Sequence, residues 1–193
     1  MRRPPLAFVL APVAAGIVLS ASLAGCAGGT DQALPLAEAA APELAPLGWT
    51  EAYGPPGARL VFRVQRLEVR REAWSATVSV TNKTGIGFEV GGRDSLLDRR
   101  FGVMLFQTGD LRELEQRNRA GELPPVRPAA SYVPALPEVL APGATWRGVI
   151  SAAGSLPARS WVRLSFGTFV AVGEPPKGLE PRVVWITDHA YPL

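Results

Sequence analysis

Few side chains in this sequence of 193 residues are of the types that perform nucleophilic chemistry. The chain has one cysteine, Cys26, and one histidine, His189, which lies close to the C-terminal Leu193. Hydrolysis by a serine nucleophile needs a base held beside the hydroxyl, whereas a histidine near a chain end is expected to be mobile and solvated. We therefore predict that the protein is not an enzyme and has no catalytic residues.

Side chains that could bind a metal are also sparse. Copper carriage favours several methionine, histidine or cysteine ligands, but Met104 is the only methionine besides Met1. Asp94 and Asp98 could contribute oxygen ligands to calcium. Two carboxylates do not make a site, so a solvated loop is the preferred interpretation. We predict no metal site and no cofactor.

Cys26 lies in a sequence context that indicates modification of its thiol. Arg2 and Arg3 precede an uncharged, mostly apolar run over residues 4–22, which leads into Leu23-Ala24-Gly25-Cys26. This is the layout of a secretory signal, and it resembles the signal of bacterial lipoproteins. The resemblance implies transfer of diacylglycerol to the cysteine thiol and cleavage between Gly25 and Cys26. Residues 1–25 are thus predicted to be a signal peptide.

The same apolar run could instead be an uncleaved transmembrane helix, because about 20 apolar residues span a bilayer. Pro12, Gly16 and the small residues before Cys26 fit processing better. Each buried methylene of an acyl chain contributes about 0.8 kcal/mol to membrane binding, so several chains on one cysteine give a stable anchor. We expect a protein that is lipid-anchored to the cell membrane on its extracytoplasmic face.

Charge and cysteine content exclude several classes of partner and site. The net charge of +3 becomes +1 when Arg2 and Arg3 are removed with the signal. A chain with a net charge so close to zero has little electrostatic attraction for nucleic acid. We therefore predict no nucleic-acid partner. Once Cys26 is acylated, no cysteine is left for a disulfide or a thiolate metal site.

Residues 26–58 are rich in alanine, proline and glycine and predict a tether between the anchor and a domain over residues 59–193. Such a segment has too few large apolar residues to offset the entropy of ordering it. Trp49 and Tyr53 could lie on the surface of the domain.

From Arg59 onward, apolar residues recur with the period of two that is typical of strands. The clearest alternation has Trp74, Ala76, Val78 and Val80 on one face and serine or threonine on the other. About seven antiparallel strands are predicted in all, the others at Arg59–Val69, Ile86–Val90, Phe101–Phe106, Thr145–Ala152, Ser160–Val172 and Arg182–Thr187. This number and spacing predict an all-β sandwich, with a closed barrel as the alternative.

Local signals add detail to this domain. A change of alternating phase near Gln65 predicts a bulge, and Asn82-Lys83-Thr84-Gly85 predicts a turn, although its first three residues also match a glycosylation sequon. Asp110 and Gly121 have the spacing of the start and stop of a short helix, with Glu113 completing a capping pattern. Proline and glycine in Ala141–Ala144 predict a type II turn.

Three segments together resemble a known domain family. Residues 74–84 (WSATVSVTNKT), 101–109 (FGVMLFQTG) and 140–150 (LAPGATWRGVI) are similar to the immunoglobulin-like, telokin-like domain attached to many bacterial lipoproteins of unknown function. The similarity covers roughly Arg59–Val172. It implies an immunoglobulin-like β-sandwich, and it implies no catalytic residue. The insertion at residues 110–140, which contains the predicted short helix, is longer and richer in proline than is expected of that family.

These observations favour a non-catalytic interaction module that binds an envelope protein or polymer, with an envelope hydrolase or a carbohydrate-binding module as the alternative. Loops on a rigid scaffold carry function, so the connection at residues 91–100 and the insertion at residues 110–140 are candidate contact regions. The arginines at 63, 66, 70, 71, 99 and 100 could favour anionic lipid or cell-wall polymer, although a solvated sheet face is simpler. The possible partner contacts are Trp49, Arg93, Asp94, Asp98, Arg99 and Arg100.

Overall fold

The computed structural model describes residues 37–91 and 101–193, and this part of the chain is an antiparallel β-sandwich with one α-helix. The predicted fold class is therefore confirmed. Cys26 and its signal lie outside the described residues, as do five of the predicted contacts: Arg93, Asp94, Asp98, Arg99 and Arg100.

All seven predicted strands are present, together with further strands within the described residues. The elements are β1 (Glu43–Tyr53), β2 (Arg59–Val69), β3 (Ala73–Lys83), β4 (Gly87–Val90), β5 (Gly102–Phe106), α1 (Leu111–Ala120), β6 (Arg127–Pro128), β7 (Ser131–Val133), β8 (Val139–Leu140), β9 (Thr145–Ala153), β10 (Trp161–Val172), β11 (Arg182–Ile186) and β12 (Tyr191–Pro192).

The described strands form two sheets. Sheet I has the order β1-β2-β3-β9-β7. Sheet II is built around β10, which pairs with β5 and β4 on one side and with β12 and β11 on the other. Its remaining strands, β6 and β8, pair with β5 and β4.

The long edge strand β1 corrects the tether prediction for residues 43–53, whereas residues 26–36 of the predicted tether at residues 26–58 lie outside the described residues. Glu43–Tyr53 pairs with β2 along its length, and Ala40 is buried, its N–H donating to the Leu156 carbonyl. Leu47, Trp49 and Tyr53 alternate along β1 and pack against the core. The segment forms a strand despite its proline and alanine content, because its apolar residues alternate and because an edge strand tolerates proline. Pro46 lies beside a shift in the β1–β2 register.

The core between the sheets is rich in aromatic residues. The Phe62 ring of β2 lies with its centroid 5.2 Å from that of Phe166 and is stacked on Trp185 at 5.6 Å. Phe101 makes an edge-on contact with Phe166. The predicted inward face of β3 is confirmed, since Trp74, Ala76, Val78 and Val80 are all buried.

Strand β5 is covered on both faces, as its continuous apolar sequence predicts. Val103 belongs to the main core, while Met104 and Phe106 pack with Leu114 of α1 in a second cluster. The helix has the predicted boundaries: the Asp110 side chain accepts a hydrogen bond from the Arg112 N–H, and Gly121 ends the helix with φ 71°.

The bulge and turns predicted from local signals are also present. The β2–β3 register shifts between Val64 and Arg66. In the turn at residues 141–144, the Ala144 N–H donates to the Ala141 carbonyl, and Gly143 has φ 74°.

Asn82 organises the turn after β3. Its fully buried amide donates to the carbonyls of Ile86, Leu140 and Ala141, and its Oδ1 accepts from the Thr84 N–H and hydroxyl. The turn interpretation of the Asn82–Thr84 motif is thus confirmed.

Candidate functional site

Two polar regions outside the core could serve function: the junction of β1 with the C-terminal segment, and the outward face of sheet I. The junction is organised around Glu51. Glu51 shares a face of β1 with Trp49 and Tyr53, so its side chain points toward the core edge and is only 7% exposed.

The Glu51 carboxylate accepts four hydrogen bonds from the C-terminal segment. The Trp185 indole Nε1 donates at 2.7 Å, the backbone N–H groups of Asp188 and His189 donate at 3.1 and 3.2 Å, and His189 Nδ1 lies 2.7 Å away. A buried carboxylate is tolerated when hydrogen bonds replace its hydration. Glu51 therefore holds the end of the chain against β1.

His189 differs from the mobile chain-end residue that we predicted. Its ring is stacked on Trp49 with centroids 5.5 Å apart, and its Nδ1 is hydrogen-bonded to Glu51. Glu51 accepts, so Nδ1 carries the proton and a neutral ring has its lone pair on Nε2. The side chain is 56% exposed, and no described residue is hydrogen-bonded to Nε2. This pair could accept a proton from a ligand, but no nucleophile is in place beside it in the described chain.

Arg163 of β10 lies beneath this junction and is fully buried. Its guanidinium donates to the carbonyls of Thr187, Asp188 and Gly109, and it lies 5.5 Å from the centroid of the Phe106 ring. Burial lowers the pKa of Arg163, while nearby carboxylates, first that of Asp188, oppose the shift. Because the guanidinium joins β10 to the C-terminal segment and to the connection before α1, its role is structural.

The pKa of Asp188 is raised by loss of hydration and then by the neighbouring Glu51 carboxylate. Arg163 and His189 work in the opposite direction. The carboxyl of Asp188 therefore binds a proton at a higher pH than an ordinary aspartate does.

The outward face of sheet I has a different character, and the strand register determines it. Arg63 of β2 is directly opposite Ser79 of β3, and Ser79 is opposite Arg147 of β9. On the other side of Arg63, the row continues to Thr50 of β1. This transverse row, Thr50-Arg63-Ser79-Arg147, is called the arginine row below.

The arginine row forms the floor of a shallow groove of about 380 Å³. Arg63 and Arg147 are exposed, and neither forms an ion pair with any residue in the described ranges. The lining contains no carboxylate and is otherwise mainly hydroxyl, amide and backbone; besides the row it comprises Gly48, Trp49, Val64, Gln65, Thr81 and Thr145.

A second groove of about 500 Å³ lies further along the same face and contains one ion pair. Arg70 forms an ion pair with Glu68 at 2.7 Å, and Glu68 also accepts from the Ser75 hydroxyl. Arg66 donates to Thr77. The second groove therefore holds one arginine, Arg66, in addition to its ion pair, whereas the arginine row holds two arginines and no carboxylate.

The predicted contact residues map only in part onto these regions. Trp49 is in β1, stacked on His189, and it borders the first groove. The other five predicted contacts, including the two aspartates considered as calcium ligands, lie outside the described residues. Trp74 and Trp146 are buried, and Trp161 and Trp185 pack against the apolar clusters.

Within residues 37–91 and 101–193 there is no group of three or more histidine, cysteine or acidic side chains placed to hold a metal ion. Over the same ranges, no helix has the length and apolarity needed to cross a bilayer.

Sequence reasoning missed Glu51 and Arg147. Glu51 was assigned to a tether, and only the Trp49-Thr50-Glu51-Ala52-Tyr53 alternation could have placed it in a strand. Arg147 is one arginine in a predicted strand, and its relation to Arg63 becomes visible only when β3 is known to lie between β2 and β9.

Comparison with known proteins identifies no relative: no protein-family model, no curated protein and no solved structure matches this chain.

Proposed function

We propose that this protein is a lipoprotein, anchored through acylated Cys26 to the extracytoplasmic face of the cell membrane, and that its sandwich is a non-catalytic interaction module for an envelope protein or polymer. The sequence layout of residues 1–26 supports the anchor. The resemblance of Arg59–Val172 to the immunoglobulin-like domain attached to bacterial lipoproteins belongs to the same proposal.

The observation that carries the interaction function is the arginine row. Arg63 and Arg147 project from β2 and β9, which flank β3 in sheet I, into a groove without carboxylates. Neither has an ion-pair partner among the described residues. Exposed charge contributes little to folding stability. Charge that is not neutralised within the fold can instead attract and orient a partner of opposite sign.

The contacts of Glu51 favour a structural role for the Glu51–His189 pair. Three of the four donors to this carboxylate are the Trp185 indole and two backbone N–H groups, and these hydrogen bonds join β1 to the C-terminal segment. A carboxylate that only oriented a catalytic base would not need them. The pair is nonetheless the reason to keep an envelope hydrolase as the second candidate.

Photocrosslinking in intact cells tests the interaction function. A photoreactive amino acid at Thr145, which is exposed beside the arginine row, should give a specific envelope adduct. The matched control is the same amino acid at Gln116, which is exposed on α1. Equal adducts from both positions, or none from either, would contradict an interaction through this face.

The hydrolase alternative is tested with the full chain and its His189→Ala variant on isolated envelope polymers. The interaction module predicts no hydrolysis by either protein. Hydrolysis by the parent chain that is lost in the variant would replace the interaction module with an enzyme.

A further inference from the structure

We infer that the arginine row is a binding site for an oxyanion, a carboxylate or phosphate group carried by a glycan polymer. The inference deepens the proposed function and rests on it, since it names the chemistry of the partner.

The geometry of the row suits one oxyanion between two cations. Arg63 and Arg147 lie on strands separated only by β3. Neighbouring strands are about 4.8 Å apart, so the Cα atoms of the two arginines are roughly 10 Å apart. Both side chains are long enough to converge over Ser79. Arginine forms paired hydrogen bonds with carboxylate and phosphate oxygens.

The groups between the two arginines add hydrogen-bonding capacity. The Ser79 hydroxyl lies between the two arginines, 3.4 Å from Gln65 Nε2. The hydroxyls of Thr81 and Thr145, 2.9 Å apart, line the same groove and can donate to or accept from a ligand hydroxyl. A carboxylate or phosphate on a hydroxyl-rich polymer provides an acceptor for the arginines and hydroxyl partners for these side chains.

The surroundings favour a glycan over other anionic ligands. Thr50, Thr81 and Thr145 line the groove around the row, and Ser75 and Ser151 line the neighbouring groove. The two grooves follow one another along one sheet face. In the first groove only Trp49 and Val64 are large apolar side chains, whereas alanines, Trp74 and Val149 line part of the second. A hydroxyl-rich chain that carries negative charge matches the groove of the arginine row, whereas an acyl chain or an apolar peptide segment does not.

The test measures binding of the full chain in detergent to immobilised polymers. Polygalacturonate provides carboxylates, phosphomannan provides phosphates, and dextran is the neutral reference. The probes are compared for the parent chain, for Arg63→Gln, for Arg147→Gln and for the double variant. Arg112→Gln on α1 is the matched control, since Arg112 is also an exposed arginine.

Binding to at least one anionic polymer, with little binding to dextran, is the expected result. Each arginine substitution should weaken it roughly tenfold, and Arg112→Gln should leave it unchanged. Rising salt should weaken binding of the parent chain more than that of the double variant. The substituted side chains are exposed, so the variants should keep the parent melting temperature, which is measured alongside.

Other results overturn the inference. These are equal binding to dextran and the anionic polymers, or unchanged binding by the double variant. A preference for vesicles containing phosphatidylglycerol over both polymers would assign the row to lipid headgroups instead. If no polymer binds while the crosslinker at Thr145 captures one protein in cells, the glycan inference fails and the proposed interaction function stands.

Discussion

The indole Nε1 of Trp185 donates a hydrogen bond of 2.7 Å to the carboxylate of Glu51, 134 residues earlier in the chain. Glu51 is in the edge strand of sheet I, and Trp185 is in a strand at the edge of sheet II. Edge strands expose unpaired backbone groups and invite pairing with other chains. This hydrogen bond and its neighbours join the two edges on one side of the sandwich.

Substitution of Glu51 by alanine should therefore destabilise the whole domain. It leaves the Trp185 indole and two backbone N–H groups without their acceptor, and we expect a loss of about 3 kcal/mol in the free energy of unfolding. Urea denaturation measures it. Glu72→Ala, which removes an exposed glutamate, is the control and should change stability by less than about 0.5 kcal/mol. Similar stabilities for the two variants would show that the junction contributes little.

The pH dependence of stability should report on Glu113 of α1. Burial works to raise the pKa of its carboxyl, but hydrogen bonds from Thr108 and Arg117 outweigh burial and lower the pKa below its ordinary 4.5. A lowered pKa in the folded state means that the folded chain favours the charged form. The resulting stability is complete above pH 4.5 and is lost as the pH falls through the folded-state pKa.

Glu113→Gln isolates this effect. The free energy of unfolding of the parent chain minus that of the variant should become smaller as the pH falls from neutral to pH 3. We expect a decrease on the order of 1 kcal/mol or less. Urea denaturation at a series of pH values measures it. A difference that stays constant over this range would mean that Glu113 titrates alike in the folded and unfolded chains.

The extent to which the sequence predicts this fold depends on how local each signal is. The β3 strand, the turn at Asn82 and the caps of α1 depend on residues close together in sequence, and they were predicted correctly. β1 was missed because proline and alanine dominate its surroundings. Its pairing with β2, which orders it, becomes visible only in the structure. Composition describes a segment alone, whereas strand pairing supplies the hydrogen bonds that offset its ordering entropy.

The candidate site was harder to predict because it is defined by register. Arg63 was recognised as a charge on a sheet face, but Arg147 joins it only through the β2-β3-β9 order. His189 was expected to be mobile because only its position in the sequence was known. Its fixed orientation depends on Trp49 and Glu51, more than a hundred residues away.

Asn82→Ala should be among the most destabilising single substitutions in the turn region. The side chain is fully buried, and it connects the end of β3 to the carbonyls of Leu140 and Ala141. Alanine would leave these carbonyls and the Thr84 N–H without partners, so we expect a loss of at least about 3 kcal/mol. Thermal and urea unfolding measure the loss. Asn118→Ala, at an exposed position of α1, should stay near the parent value, and a comparable effect from both would argue against this role for Asn82.

The anchor is tested through Cys26, which lies outside the residues that the structure describes. If its thiol is acylated, cells grown with an alkyne-bearing fatty acid should incorporate label into the parent chain, and the protein should sediment with membranes. Cys26→Ser removes the only thiol in the chain and should abolish the label. Because the substitution leaves the apolar run intact, a transmembrane helix would keep Cys26→Ser in the membrane fraction without label. Equal labelling of both proteins would show that the acyl chain is attached elsewhere and that Cys26 is not the anchor.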